Sequence, residues 1–361
     1  MGLSLNSVLE GIEPVSPEWS LKARDHLNNL AIPAGSLGEL LALAEQLAAI
    51  KQSLKPSVQR KAVITMAGDH GVVQEGVSAF PQEVTPQMVY NFVAGGAAIN
   101  AIAGAAGARV IVVDMGVAAD LTDLVNKKKI LSRKVGHGTQ NMTLGPAMTL
   151  QQARQALEAG IEIVGNLVEE GIDLLATGDM GIGNTNPSSA ILAAISGRTA
   201  SEVTGRGTGI SDKALENKID VVRRALAINR PDSGDPLDVL ARVGGFEIGG
   251  IAGVILGAAY HKIPVLVDGF ISSAGALIAR GLAPRSTDYM IAAHRSMEHG
   301  HRLMLEELGL MPLLDLNLRL GEGTGAALAM NIVEAAAQVI GKMLTFDDAG
   351  VARDEKRVQG A

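Results

Sequence analysis

The chain contains no cysteine. That excludes disulfide staples, thiolate-ligated metals and a cysteine nucleophile. Aromatic residues make up only 2% of its 361 residues, too few to suggest a stacking platform for the bases of a single-stranded nucleic acid. Basic residues are not in excess either. Lys and Arg number 31 against 38 Asp and Glu, a formal net charge of −7, which argues against nucleic acid or an anionic membrane as partner. The opening segment, MGLSLNSVLEGIEPVSPEW, has neither a basic n-region nor an apolar h-region, and no later run approaches about 18 uncharged apolar residues. Position 6 is Asn6 rather than Ser or Thr, so the myristoylation pattern fails. A soluble, cytoplasmic protein is the expectation. No P-loop, GxGxxG or HExxH pattern occurs.

What is abundant is glycine and small apolar residues. A hydrophobic content of 47% with 43 glycines predicts α/β layers joined by tight turns, and the length suits one large or two medium domains. Residues 1–34 are mixed and punctuated by proline, and read as an extension wrapped onto the main body. Ser36 and Glu39 have capping-box spacing ahead of Leu40, Leu43, Ala44 and Leu47, which predicts an amphipathic helix opening there. Five apolar runs read as strands: 62–66, 109–115, 172–176, 264–267 and 289–293. Each meets a glycine-bearing or polar loop and then a helix, as at about 149–170. That is repeated βαβ, a doubly wound, mainly parallel sheet with helices on both faces and one ligand cleft along the carboxyl ends of its strands. A smaller helical lobe from the N- and C-terminal segments completes the expected α/β fold, with boundaries at 1–55, 56–312 and 313–361.

The loops carry the candidate chemistry. Asp69 and His70 end the first strand, either as site residues or as groups satisfying turn backbone. Phe80, Tyr90 and Phe92 share one segment with Gln82 and Gln87, a concentration that suits a pocket for a flat apolar ring and equally suits a packed helix. Residues 177–185 read TGDMGIGNT and 204–209 read TGRGTG. Glycine-rich turns into a helix present backbone N–H groups to an anion, and Arg206 with Lys218 nearby adds the positive charge that a phosphomonoester needs. His294, His299 and His301 invite a metal reading but lack HExxH order, and a polar loop facing a ligand suits them better. The stretch 313–330, LLDLNLRLGEGTGAALAM, organises the rest. Leu314, Leu316, Leu318 and Leu320 alternate with polar residues, which predicts a strand or an extended segment with one buried edge. Gly321, Gly323 and Gly325 then bracket Glu322 ahead of an apolar, alanine-rich helix. A lone carboxylate in such a turn can have a raised pKa and serve as a general base. It can equally complement the positive end of the helix that follows.

Eight stretches, in order over nearly the whole chain, resemble one family: PAGSLG, AGDHGVVQEGVSAFPQEVTPQMVYNFVAGGAAIN, TGDMGIGNT, GRGTG, GGFEIGGIAG, VDGFISSAGA, the AHRSMEHGH region and LGEGTGAALAM. The family is nicotinate-nucleotide:dimethylbenzimidazole phosphoribosyltransferase. The resemblance implies a six-stranded parallel α/β core with a small lobe, a homodimer, and no metal or cofactor. It implies transfer of 5-phosphoribosyl from nicotinate mononucleotide to 5,6-dimethylbenzimidazole or a related lower-ligand base of cobalamin, giving α-ribazole 5′-phosphate and nicotinate. On the matching motifs Glu322 is the general base. Asp179, Gly181, Gly183, Asn184, Arg206, Gly207, Lys218 and Ser296 would hold phosphate and ribose, and Phe80, Gln87, Met180 and Leu320 the base. Two positions depart from the family pattern. Ile32 stands where a Lys usually precedes the proline of PxGSLG, and Asp179 stands where a Glu is usual, which bears on the base accepted. The alternatives are a paralogous subunit acting on phenolic ligands and a non-catalytic partner subunit. A nicotinamide-dependent oxidoreductase is disfavoured by the missing GxGxxG.

Overall fold

The structure, a computed structural model, describes residues 4–207 and 211–352. Six strands form one sheet: β1 Lys61–Gly68, β2 Ala108–Gly116, β3 Leu131–Ser132, β4 Leu174–Met180, β5 Val265–Val267 and β6 Met290–Ala292. Their order is β3-β2-β1-β4-β5-β6, and every pairing is parallel. The chain winds outward in opposite directions from β1 and β4, so the topological switch point lies between them, where a crevice opens beyond the carboxyl ends. All eight residues of β1 are buried, as its central place requires. The five expected strands are present, although β4 continues to Met180. The sixth, β3, has two residues and an exposed Leu131, too little for periodicity to register.

Helices cover the sheet. Leu150–Glu169 opens on Thr149, whose hydroxyl accepts from Gln152 N while the Gln152 side chain returns to Thr149 N. Helix Phe246–Tyr260 is buried along nearly its whole length and packs closely on Leu150–Glu169. A Cβ on Gly253 would lie 2.0 Å from the Leu157 carbonyl oxygen, and one on Gly160 would lie 2.2 Å from that of Gly250. Backbone thus meets backbone there.

The chain divides into two compact units, Met1–Glu13 with Arg60–Met330 and Pro14–Gln59 with Asn331–Ala361. The boundaries differ from those expected, because 1–13 and 313–330 fall in the first unit. Leu5 and Val8 of helix Leu5–Gly11 are buried, and residues 313–318 hydrogen-bond along the end of β6. Within the second unit, Leu30 and Thr345 form an antiparallel bridge and a His26 ring nitrogen lies 3.1 Å from the Ile340 carbonyl oxygen. Ile32 belongs to this unit.

Three local expectations are corrected. Helix Glu39–Lys51 is capped by Gly38 in a left-handed conformation, φ 51°, with no side-chain cap, so Ser36 forms no capping box. Residues 313–320 are not a strand. They run beside β6 through Leu314 N to Ala293 O at 3.1 Å and Met297 N to Leu318 O at 2.9 Å, Asn317 turns left-handed at φ 56°, and Leu316 and Leu320 are more than half exposed. Finally, among the described residues two stretches are long and apolar enough, by length and composition, to cross a membrane, Val84–Ala105 and Thr324–Lys342. The first is broken into helices Val84–Ala94 and Ala98–Ala105, and Asn331, Glu334 and Gln338 interrupt the second.

Gly253→Ala should destabilise the fold by about 1–3 kcal/mol through overpacking, read by urea denaturation. Gly104→Ala, on an exposed helix position with nothing within 4 Å, should be neutral or stabilise by up to about 1 kcal/mol. Equal effects of the two would contradict this packing account.

Candidate active site

A cleft of about 230 Å³ opens in the first unit, lined by residues that follow β1, β4, β5 and β6 and by the turn at 319–322. The turn is the strained element. Gly321, Glu322 and Gly323 all have left-handed φ, at 88°, 63° and 95°. For a residue with a side chain this costs on the order of 1–3 kcal/mol and persists only where the surroundings impose it. Here they do. Thr65 of β1 donates its hydroxyl to Glu322 O at 3.0 Å, Glu322 N donates to Asp179 O at 3.2 Å, and a Cβ on Gly178 of β4 would lie 2.3 Å from Glu322 O. The two central strands therefore grip the turn from below.

The Glu322 side chain is 5% exposed, and its Oε2 accepts from Ile99 N at 3.1 Å. Ile99 lies in the first turn of helix Ala98–Ala105, so Glu322 faces the positive end of that helix and not of the helix that follows it. The helix that follows is served by Asp268, just after β5, whose Oδ1 accepts from Ala326 N at 2.8 Å, with the Gly323 and Gly325 N–H groups nearby favouring its ionised form. Burial pushes the pKa of Glu322 up and the charge of Asp268 adds to the rise, against the Ile99 N–H. Asp179, at the end of β4, is pushed well above the usual carboxylate range by burial and then by Asp268. The Asn184 side chain, 3.0 Å away, opposes this, while Glu247 and Glu322 add to it. An acid in that setting is favoured in its protonated form.

The loop 181–183 runs from β4 into helix Thr185–Ser196, with Gly183 at φ 87°. Beside it Lys218, 2% exposed, donates from Nζ to Thr185 Oγ1 at 2.8 Å, and burial lowers its pKa. Arg206 pairs with Asp212. Thr208 and Gly209 of the second glycine loop lie outside the described residues. The three histidines diverge. His294 lines the cleft with Nε2 3.7 Å from Asp268, and His299 is exposed on helix His299–Leu308. His301 is buried, its Nδ1 accepts from Ser296 N at 2.8 Å, and its Nε2 meets Ser273 Oγ at 3.0 Å. Burial and then His294 lower its pKa to about 3, so it is a neutral structural bridge. Asp69 and His70 are structural too. Asp69 accepts from Ala118 N at 2.8 Å, and His70 pairs with Glu247 at 2.8 Å with both side chains fully buried.

Of the residues singled out from sequence, Glu322, Asp179, Met180, Gly181, Gly183, Asn184, Arg206, Gly207, Lys218, Ser296, Phe80 and Leu320 all line the cleft. Gln87 does not. It is exposed on helix Val84–Ala94, because the helical period turns it away from the buried Thr85, Val89 and Phe92. His294, Glu298 and Arg319 also line the cleft, and Asp268 lies beneath it. Asp268 was findable, since it ends a strand just as Asp69 and Asp179 do.

The family model described as phosphoribosyltransferase matches residues 12–351. The chain belongs to that family. The nicotinate-nucleotide–dimethylbenzimidazole phosphoribosyltransferase of Syntrophotalea carbinolica is 56% identical over 349 residues, covering 97% of this chain and 99% of that protein. The protein of the same name from Geobacter metallireducens is 54% identical over 347 residues, 96% of this chain and 98% of its own. Among solved structures, CobT from Thermus thermophilus aligns with a TM-score of 0.90 at 49% identity, over 94% of this chain and all of that one. The phosphoribosyltransferase fold of those relatives is thus the six-stranded parallel sheet described above.

For this phosphoribosyltransferase, the buried acid under the cleft gives a pH prediction. A carboxyl whose pKa is raised on folding lowers stability progressively as pH climbs from its unfolded value, about 3.9, through its folded value. Asp179→Asn should therefore stabilise the ligand-free protein on the order of 1–3 kcal/mol at about pH 8 and have little effect below about pH 4. Denaturation at the two pH values checks this, and a loss of stability at the higher one contradicts it.

Proposed function

We propose that this chain transfers the 5-phosphoribosyl group of nicotinate mononucleotide to 5,6-dimethylbenzimidazole or a related azole, releasing nicotinate. The observation that carries the reading is a single cleft combining a buried carboxylate of raised pKa, Glu322, with a glycine loop and a buried lysine. Gly181, Gly183, Gly207, Lys218, Ser296 and Arg206 would hold the phosphate. Asn184 and a protonated Asp179 would hydrogen-bond the ribose, and Phe80, Met180 and Leu320 would flank the flat base. The relatives named above carry the same activity in their names.

The chemistry follows from charge. The azole N–H gives its proton to a Glu322 oxygen while the second ring nitrogen attacks C1′. The bond from C1′ to nicotinate breaks, and its electron pair neutralises the pyridinium nitrogen, so the ring leaves with a neutral nitrogen and only its carboxylate charge. Attack opposite the leaving group turns a β-linkage into an α-linkage. The protein supplies the base, the orientation and a partly dry cleft.

The same reading makes the protein a cytoplasmic homodimer. Large exposed apolar side chains around 297–316, namely Met297, Met311 and Leu316, support the second part. The intact Glu322 turn supports a catalytic subunit rather than a silent one.

Glu322→Gln should keep nicotinate mononucleotide affinity and lose about 10²- to 10⁴-fold in turnover. A base works ionised, so wild-type turnover should rise with pH through a pKa above the usual carboxylate value, and the variant should lack that limb. A variant turning over near the wild-type rate would remove Glu322 from the role.

A further inference from the structure

Glu298 is an acid in the cleft for which the reaction just described has no use. It stands immediately before helix His299–Leu308, is 9% exposed, and points at 205–207. A Cβ on Gly205 would lie 2.5 Å from Glu298 Oε2. One on Gly207 would lie 3.7 Å from Oε1 and 3.4 Å from Lys218 Nζ. The nearby Gly207 N–H favours the ionised carboxylate, and Oε2 has no hydrogen-bond partner among the described residues. Lys218 faces Glu298 from helix Asp212–Asn229, Arg319 from the segment 313–320, and His299 from its own helix. Arg206, paired with Asp212, and His294 line the same cleft. An anionic side chain thus stands among the groups assigned to a phosphate.

We propose that Glu298 is a specificity-determining residue of the phosphate subsite, a carboxylate beside the 205–207 loop that shares one proton with a phosphomonoester when it binds. The inference rests on the phosphate placement proposed above. A phosphomonoester is a dianion above about pH 6. Two anions beside one lysine repel unless a proton bridges them, as in paired carboxylates. Burial raises the pKa of Glu298, ahead of the opposing Lys218, the Gly207 N–H, Arg319 and His299, and an adjacent dianion raises it further. In the complex its Oε–H donates to a phosphate oxygen. The proton comes from solvent, and no covalent bond to carbon or phosphorus changes.

The test is isothermal titration of the full chain with nicotinate mononucleotide at about pH 8, where the phosphate is a dianion, in buffers of different ionisation enthalpy. Inorganic phosphate is titrated in parallel. Wild-type protein should take up close to one proton per ligand, and its affinity should fall up to about tenfold per pH unit on the alkaline side. Glu298→Gln should take up almost none and bind with a flatter pH dependence. The wild-type arm needs no variant to fold. Binding without proton uptake overturns the proposal, and so does uptake that persists in Glu298→Gln, since it would assign the proton to another group of the cleft. Proton-coupled binding of inorganic phosphate without binding of nicotinate mononucleotide would uphold the role of Glu298 and overturn the functional reading. Binding of neither would overturn both.

Discussion

At the centre of the first unit two carboxylates, Asp268 and Glu322, each serve a helix other than the one that follows it in the chain, and the site depends on that exchange. Asp268 receives the Ala326 N–H at the start of helix Thr324–Lys342, which frees Glu322, two residues before that helix, to turn away from it and face Ile99 at the start of helix Ala98–Ala105. If Glu322 capped its own helix, further N–H groups would oppose the rise that burial gives its pKa, as they do at Asp268. Because Asp268 takes that part, Glu322 keeps one backbone donor and a buried setting, and its pKa rises. A base strong enough to accept an azole proton follows from a capping arrangement.

That arrangement is held under strain. Three successive left-handed residues at 321–323 sit on β1 and β4, through Thr65, Asp179 and Gly178. Those strands flank the switch point of the sheet, so the fold's one topological irregularity and its most strained turn coincide. Buried acids gather there too, and Asp179, Asp268 and Glu322 all have raised pKa values. Stability is given up where a ligand is expected to bind.

The sheet was largely legible because buried parallel strands are continuous apolar runs, as at 62–66 and 109–115. The short β3 was not, since two residues carry no period. The alternation of leucines at 313–320 misled in part. Residues 313–318 follow the end of β6 by hydrogen bonds on one edge only, and Leu316 and Leu320 face outward. Ser36 failed as a cap because Gly38 could adopt the left-handed entry instead. Glycine-rich loops after strands located most of the cleft. Gln87 was misplaced because a motif gives position along the chain, whereas the cleft depends on the face of a helix. The exchange between Asp268 and Glu322 joins residues far apart in the chain and could not be read from local patterns.

The most direct measurement is the product formed from nicotinate mononucleotide and 5,6-dimethylbenzimidazole by the purified protein, identified by mass spectrometry with its anomeric configuration assigned by NMR. The account predicts an α-linked riboside phosphate released in equal amount with nicotinate. A β-linked product, or nicotinate released with free ribose phosphate and no riboside, would contradict attack by an azole nitrogen opposite the leaving ring.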